Sequence, residues 1–336
     1  MNKKFNSYVV GFLALCFILI GCSEYSKIVK NDDYDRKIAK AEELYSSGSY
    51  NRALVLYEQI YQRYPREDKG ELAYYRLGMI YYNMNDYYMS AYYFGNFAGR
   101  FPTSSRLEDA LYYGALSSVK NSPSISLDQS DTRLAIQDLK FFIDRFPNSR
   151  RVDSCNVFID QMHLKLEQKA LQALEMYNRM EKYQATVMSA RTFLEEYPNS
   201  SEQMRVAYML LENAYTLATE SVFSKKQERL QDVIDIYDQY RPLFDFTKYM
   251  VKASEISEKA SKELDEVEEF VYYERLLDVY NRSQRAGSKT KKIAYLEDTL
   301  KLYYTFAQRF PNSSYMKKAE EIYTRAERER SATYSY

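Results

Sequence analysis

The chain has 336 residues, of which 47 are basic and 47 acidic, so its formal net charge is zero. That balance gives no reason to expect a nucleic-acid partner, and no basic block marks a polyanion site. Nine glycines and seven prolines are few for this length, which predicts an all-helical protein; 36 tyrosines with no tryptophan suit half-buried positions on thin helical layers.

Lys3 and Lys4 precede an apolar run over 9–20 that is too short for a comfortable membrane span. The run ends at Leu19-Ile20-Gly21-Cys22, the pattern of a bacterial lipobox. It predicts a lipoprotein signal peptide over 1–21 and lipidation at Cys22, with several acyl chains holding the body at a membrane. Ser23, rather than Asp, is compatible with the outer membrane. Residues 22–33 read as a polar tether. Cys16 leaves with the signal, so Cys155, set among Val152, Phe158 and Ile159, is the one unmodified cysteine and reads as a small core residue.

Helical repeats follow. The first spans 34–65, with Ala41 and Leu44 on one helix, a turn at Gly48-Ser49-Tyr50, and Ala53-x3-Tyr57 on the next. The second reads Tyr74-x2-Leu77-Gly78-x2-Tyr81, Asp86-Tyr87, Ser90-x3-Phe94, Arg100-Phe101-Pro102. This is tetratricopeptide spacing, with Tyr where the pattern usually has Trp and Ser where it usually has Ala. Leu77 and Tyr81 share a helical face, Gly78 admits the second helix, and Pro102 stops that helix. A third unit has helices over 107–120 and 132–146 around a surface loop. A fourth opens near 150 with a long helix carrying Ala170-x2-Ala173-Leu174-x2-Tyr177, followed by Thr186-x3-Ala190 and Pro198. A weaker fifth unit covers 202–242.

Beyond that, 244–285 reads as one or two long helices whose acidic run (Glu263, Asp265, Glu266, Glu268, Glu269) is expected to face solvent. Helices over 291–309 and 314–330 follow, the last as a terminal cap. The predicted architecture is an all-α, tetratricopeptide-like helical-hairpin superhelix, a solenoid with extended C-terminal helices. Its array covers 34–200, divergent repeats and cap 201–330, and a tail 331–336.

Five of the seven prolines lie in aromatic–Pro pairs: Tyr64-Pro65, Phe101-Pro102, Phe146-Pro147, Tyr197-Pro198 and Phe310-Pro311. The Thr, Asn or Ser residues that follow most of them are expected to cap the next helix while the ring packs across the junction.

Nothing in the chain resembles catalytic machinery. The one histidine, His163, stands alone on a helix, and no metal-binding, phosphate-loop or nucleophile motif is present. We therefore expect no enzyme activity, catalytic residue, metal or cofactor. Gly95-x3-Gly99 is a patterned glycine pair, on a soluble helix.

The first helix of each hairpin in such a stack lines its concave side. Turned away from the hairpin seam are Tyr75, Met79, Tyr82 and Asn83 in the second repeat, and Ile38, Glu42 and Tyr45 in the first. They form a candidate groove for an extended peptide bearing aromatic or apolar side chains. The same rings could instead pack on a neighbouring helix.

The lipobox at Cys22, the array starting soon after it and the recurring Arg-aromatic-Pro-Asn/Thr-Ser ends resemble the BamD family. These are the tetratricopeptide lipoproteins of the outer-membrane β-barrel assembly machinery. The likeness covers the mature chain to about residue 198 and weakens beyond 242. It implies a scaffold lipid-anchored in the outer membrane and facing the periplasm. It also implies binding to the periplasmic domains of a BamA-like β-barrel partner and to segments of unfolded outer-membrane proteins. The alternative is another tetratricopeptide envelope lipoprotein acting as a protein-interaction scaffold.

Overall fold

The computed structural model describes residues 24–334; the expected signal peptide and Cys22 lie outside the described residues. The described residues are helices joined by turns and loops, and they form two compact units that divide between residues 169 and 170. The boundary between them falls inside a helix.

In the first unit the helices are α1 (Tyr34–Ser46), α2 (Tyr50–Arg63), α3 (Asp68–Asn83), α4 (Tyr87–Arg100), α5 (Leu107–Asn121) and α6 (Ser130–Arg145). The unit ends in the first part of α7 (Val152–Arg179). Three antiparallel hairpins result, matching the three repeats read from the sequence. The turn inside the first places Gly48 at φ +74°, and the turn inside the second places Asn85 at φ +62°, the left-handed geometry that ends a helix in one residue. Asp86 then caps α4 by accepting from the Met89 amide at 3.1 Å.

The second repeat shows what the motif residues do. Tyr74 is 2% exposed, boxed by Tyr61 at 4.7 Å, Tyr93 at 5.0 Å and Phe101 at 6.0 Å. The Arg100 guanidinium lies 5.1 Å from its centroid. A Cβ on Gly78 would stand 2.7 Å from the Phe94 ring, so α4 reaches α3 only because that side chain is missing. Ser90 is fully buried and meets the Ser117 hydroxyl at 2.8 Å, which satisfies the polar atom that the usual Ala lacks.

The junctions after Phe101-Pro102 and Phe146-Pro147 share one chemistry, different from the expected caps. Ser104 Oγ accepts from the Arg106 amide at 3.0 Å and donates to Glu71 at 2.6 Å. Ser149 does the same with the Arg151 amide at 3.1 Å and Glu108 at 2.6 Å. The serine thus turns the chain locally and bonds back to the first turn of its own hairpin. Arg106 adds a bond to Glu71 at 2.8 Å, and Arg151 pairs with Asp109 at 2.6 Å. Phe101 packs across its junction as expected. The surface loop over 122–129 is held by Lys165 of α7, which donates to Ser122 Oγ at 2.7 Å and the Pro123 carbonyl at 2.8 Å.

The segment expected to be a free tether is instead helical over 24–30. Ile28 is 2% exposed in the first core, and the Tyr25 hydroxyl donates to the Arg52 carbonyl at 3.0 Å. Ile28, with Tyr25 and Val29 packed on the same core and the Lys37 bond to the Val29 carbonyl, docks the segment.

In the second unit, α7 continues to Arg179 and is followed by α8 (Tyr183–Glu196), α9 (Gln203–Thr219) and α10 (Phe223–Phe244). Then come α11 (Met250–Gln284), α12 (Lys289–Arg309) and α13 (Met316–Tyr334). Phe193, Leu210, Leu211, Val233 and Phe244 form its main core, while Leu276, Phe306 and Ile322 centre a smaller one. The 244–285 region is a single 35-residue helix after a short turn. Its acidic run is only partly solvated. Glu263 takes Lys226 at 3.1 Å and the Tyr215 hydroxyl at 2.7 Å, Glu268 pairs with Arg309, and Glu269 accepts from Ser313 and the Ser314 amide. Asp265 and Glu266 alone in this run are exposed.

Candidate functional site

The seven groove residues do not line one open surface. On α1, Ile38 and Tyr45 pack against the first core. Glu42 is paired with Arg76 of α3, whose Nε and Nη2 reach its two oxygens at 3.1 and 2.9 Å. Asn83, exposed at the end of α3, stands 3.5 Å from the Tyr45 hydroxyl. The other flank of α3 faces the next hairpin. Tyr75 meets Phe94 at 5.7 Å and Phe97 at 6.1 Å, and burial pushes its phenol up to about 12. Met79 packs on the same core. Tyr82 makes edge contacts with Tyr87 at 5.5 Å and Tyr113 of α5 at 5.2 Å. These side chains pack between successive first helices, the alternative that the sequence left open for them. The reason is geometric: α5 follows α3 closely enough that a residue turned away from one seam enters the next.

An open recess does exist, between the second helices of the second and third repeats. Its volume is about 400 Å³. Tyr88, Ala91, Tyr92 and Gly95 of α4 form one wall, Leu134 and Asp138 of α6 the other, and Ser118 of α5 the floor. A second recess of about 170 Å³ continues it past Gly114 to Phe141. Tyr88 is 76% exposed, Tyr92 53%, Leu134 49% and Phe141 54%, a concentration of exposed apolar surface. A Cβ on Gly95 would meet nothing, so the bare backbone of α4 forms part of the wall. Asp138 is the polar handle: Ser118 Oγ donates to it at 2.6 Å, and burial raises its carboxyl above the ordinary value against the pull of that bond.

Sequence reasoning passed over these residues. A signal was present in Tyr88, Tyr92 and Gly95, spaced along the face of α4 opposite Ser90, Phe94 and Phe97. The patterned glycine lay in view without the neighbour that gives it meaning.

Elsewhere, Cys155 is fully buried in the second core and its thiol is pushed up to about 11 by burial, far from the range of a nucleophile. His163 is exposed on α7. No helix among the described residues is long and apolar enough to cross a membrane.

Comparison with known proteins adds a family to this geometry. The family described as "YfiO: Outer membrane lipoprotein" matches residues 32–230, which include the recess and every helix from α1 through α9. The outer membrane protein assembly factor BamD of Vibrio cholerae serotype O1 is 21% identical over 231 residues, covering 66% of this chain and 95% of that protein. A crystal structure of the apo form of RapI aligns over 90% of this chain and 99% of its own at 13% identity, with a TM-score of 0.28. The family match spans more than half of the sequence, and the chain belongs to the BamD-like family of outer-membrane lipoproteins, held at that membrane by lipid.

Proposed function

We propose that this protein is a periplasm-facing scaffold of outer-membrane β-barrel assembly, acylated at Cys22. In this role it binds a BamA-like barrel through that partner's periplasmic domains and receives segments of unfolded barrel proteins. The observation that carries the reading is the aromatic-walled recess between α4 and α6, which lies within the family-matched region. Strands of barrel proteins alternate outward apolar and inward polar side chains. An unfolded one offers aromatic rings for Tyr88, Tyr92 and Leu134, and polar or basic groups for Asp138. The work is binding and transfer rather than chemistry. Two aromatic anchors would supply roughly 1.5–3 kcal/mol each before ordering costs, giving weak and reversible capture of a single segment.

The test is fluorescence anisotropy of a labelled peptide carrying the C-terminal strand of a barrel protein, with the full chain and its Tyr88→Ala/Tyr92→Ala variant. Both rings are largely exposed, so helicity should be kept while affinity falls about tenfold or more. Unchanged affinity, together with no crosslink to barrel proteins from a photoreactive residue at Leu134 in cells, would remove the recess from the mechanism. Affinity purification of the lipidated protein tests the partner separately: failure to recover a BamA-like barrel sinks the assembly role.

A further inference from the structure

The docked N-terminal segment creates a second recess, of about 350 Å³, where residues 29–32 meet the start of α1 and the end of α2. Lys37 on its wall is only 3% exposed. Its Nζ donates to Gln59 Oε1 at 2.7 Å and to the Val29 carbonyl at 3.1 Å, and lies 4.8 Å from the Tyr34 centroid. None of these partners is a carboxylate, and Lys37 has no ion pair among the described residues. A buried ammonium ordinarily sits beside a counter-charge. Lys30 and Arg63 line the same recess, are exposed, and have no ion pair among the described residues either; Asp32 is the one carboxylate there. Three cationic groups face one acid, with the Gln62 and Asn31 amides beside them. Point charges from Lys and a planar donor fork from Arg are the combination that holds a phosphate.

Chain geometry fixes where this recess can be. From Cys22 to residue 24 the backbone spans at most about 7 Å. The helix over 24–30 adds about 9 Å. Because Ile28 and Tyr25 dock that helix, Lys30 at the edge of the recess stays within about 16 Å of Cys22, which keeps it near the membrane surface. We propose that it binds the phosphate headgroup of an anionic phospholipid in the leaflet that holds the Cys22 acyl chains. The protein then grips its membrane twice, through its own lipid and through a captured one, and the second grip fixes which face of the first hairpin lies against the bilayer. The proposal rests on the reading of Cys22 as the acylated residue.

The experiment uses the full-length acylated protein in nanodiscs of phosphatidylcholine alone, or of phosphatidylcholine with phosphatidylglycerol. Lysine labelling by an uncharged amine reagent is read by mass spectrometry. Lys27, exposed on the same helix, reports any general surface effect. Labelling of Lys30 relative to Lys27 should slow about fivefold on adding phosphatidylglycerol, the scale expected for one basic group at an anionic surface. The Arg63→Glu variant, changed at an exposed position, should return the ratio to its phosphatidylcholine value while keeping its thermal melt. Equal slowing of both lysines, or an unaffected ratio in Arg63→Glu, would overturn the site. Equal protection by inorganic phosphate over phosphatidylcholine discs would overturn the lipid source. Intact mass reports acylation independently: its absence defeats the anchoring reading, whereas acylation without differential labelling defeats the headgroup site alone.

Discussion

Arg76 closes on Glu42 with two parallel bonds, at 3.1 and 2.9 Å, while its guanidinium carbon lies 4.3 Å from the Tyr45 centroid. One side chain thus joins the first helices of two successive hairpins by charge, by hydrogen-bond geometry and by stacking. Lysine can supply only the charge. Arg76→Lys should therefore lose nearly as much stability as Arg76→Ala, about 1–2 kcal/mol for a pair that is roughly one-quarter to one-third exposed. Urea denaturation compares the two, and an Arg76→Lys midpoint equal to wild type would show that charge alone matters.

Gly78→Ala should destabilise the chain by about 1–3 kcal/mol, because the added carbon meets the Phe94 ring at 2.7 Å and Tyr75 and Tyr113 hold that ring from both sides. Pairing it with Phe94→Leu should make the two costs less than additive. Strict additivity in a double-mutant cycle would place the strain elsewhere.

Tyr75→Ala and Tyr82→Ala would leave stability intact if both rings lined a free groove. Their packing predicts otherwise. Tyr75→Ala should cost about 2–4 kcal/mol, as a large aromatic removed from the Phe94–Phe97 core. Tyr82→Ala should cost about 1 kcal/mol through its edge contacts. Thermal melts rank the two, and peptide affinity should be unaffected in Tyr82→Ala.

Asp138 predicts a pH dependence. Burial raises its folded-state carboxyl above the unfolded value near 3.8, so the folded chain holds that proton more tightly than the unfolded chain does. Stability from this group is present below 3.8 and is lost as pH rises through the raised folded value. Asp138→Asn keeps an acceptor for Ser118 and carries no charge to desolvate. The variant should match wild type in acid below that window and exceed it at neutral pH. Urea midpoints at the two pH values test this, and an equal or lower midpoint at neutral pH would contradict it.

The residues that the sequence made legible are those whose position follows from the helical period. Tyr74, Leu77, Gly78 and Phe94 pack as their spacing requires, and the left-handed turns at Gly48 and Asn85 fall where turn chemistry put them. The acidic run of α11 was harder to read. Glu263 and Glu268 look solvated in their own helix, and only Lys226 and Arg309, supplied by other helices, turn them into joints. The 24–30 segment reads as polar beside the helices that follow, and Tyr25, Ile28 and Val29 dock it through contacts with α1 and α2 that its own sequence does not show. The recess lay furthest from view because it is a gap between α4 and α6, a property of the spacing of helices rather than of any run of residues. Cys22, proposed as the acylated residue, is the reverse case, being read entirely from sequence.

The serine–carboxylate bond at the junctions recurs with different amounts of chain enclosed. Glu71 and Ser104 are 33 residues apart, Glu108 and Ser149 41, and Glu269 and Ser313 44. Each of these three hairpins therefore carries its own latch, fastened from its first helix to its exit and indifferent to what lies between. A lengthened loop such as 122–129, or an extended helix such as α12, is absorbed inside a latched unit and hands the next one an unchanged starting point. Insertions can accumulate in such an array one compartment at a time, and a chain can outgrow its relatives without losing their grammar.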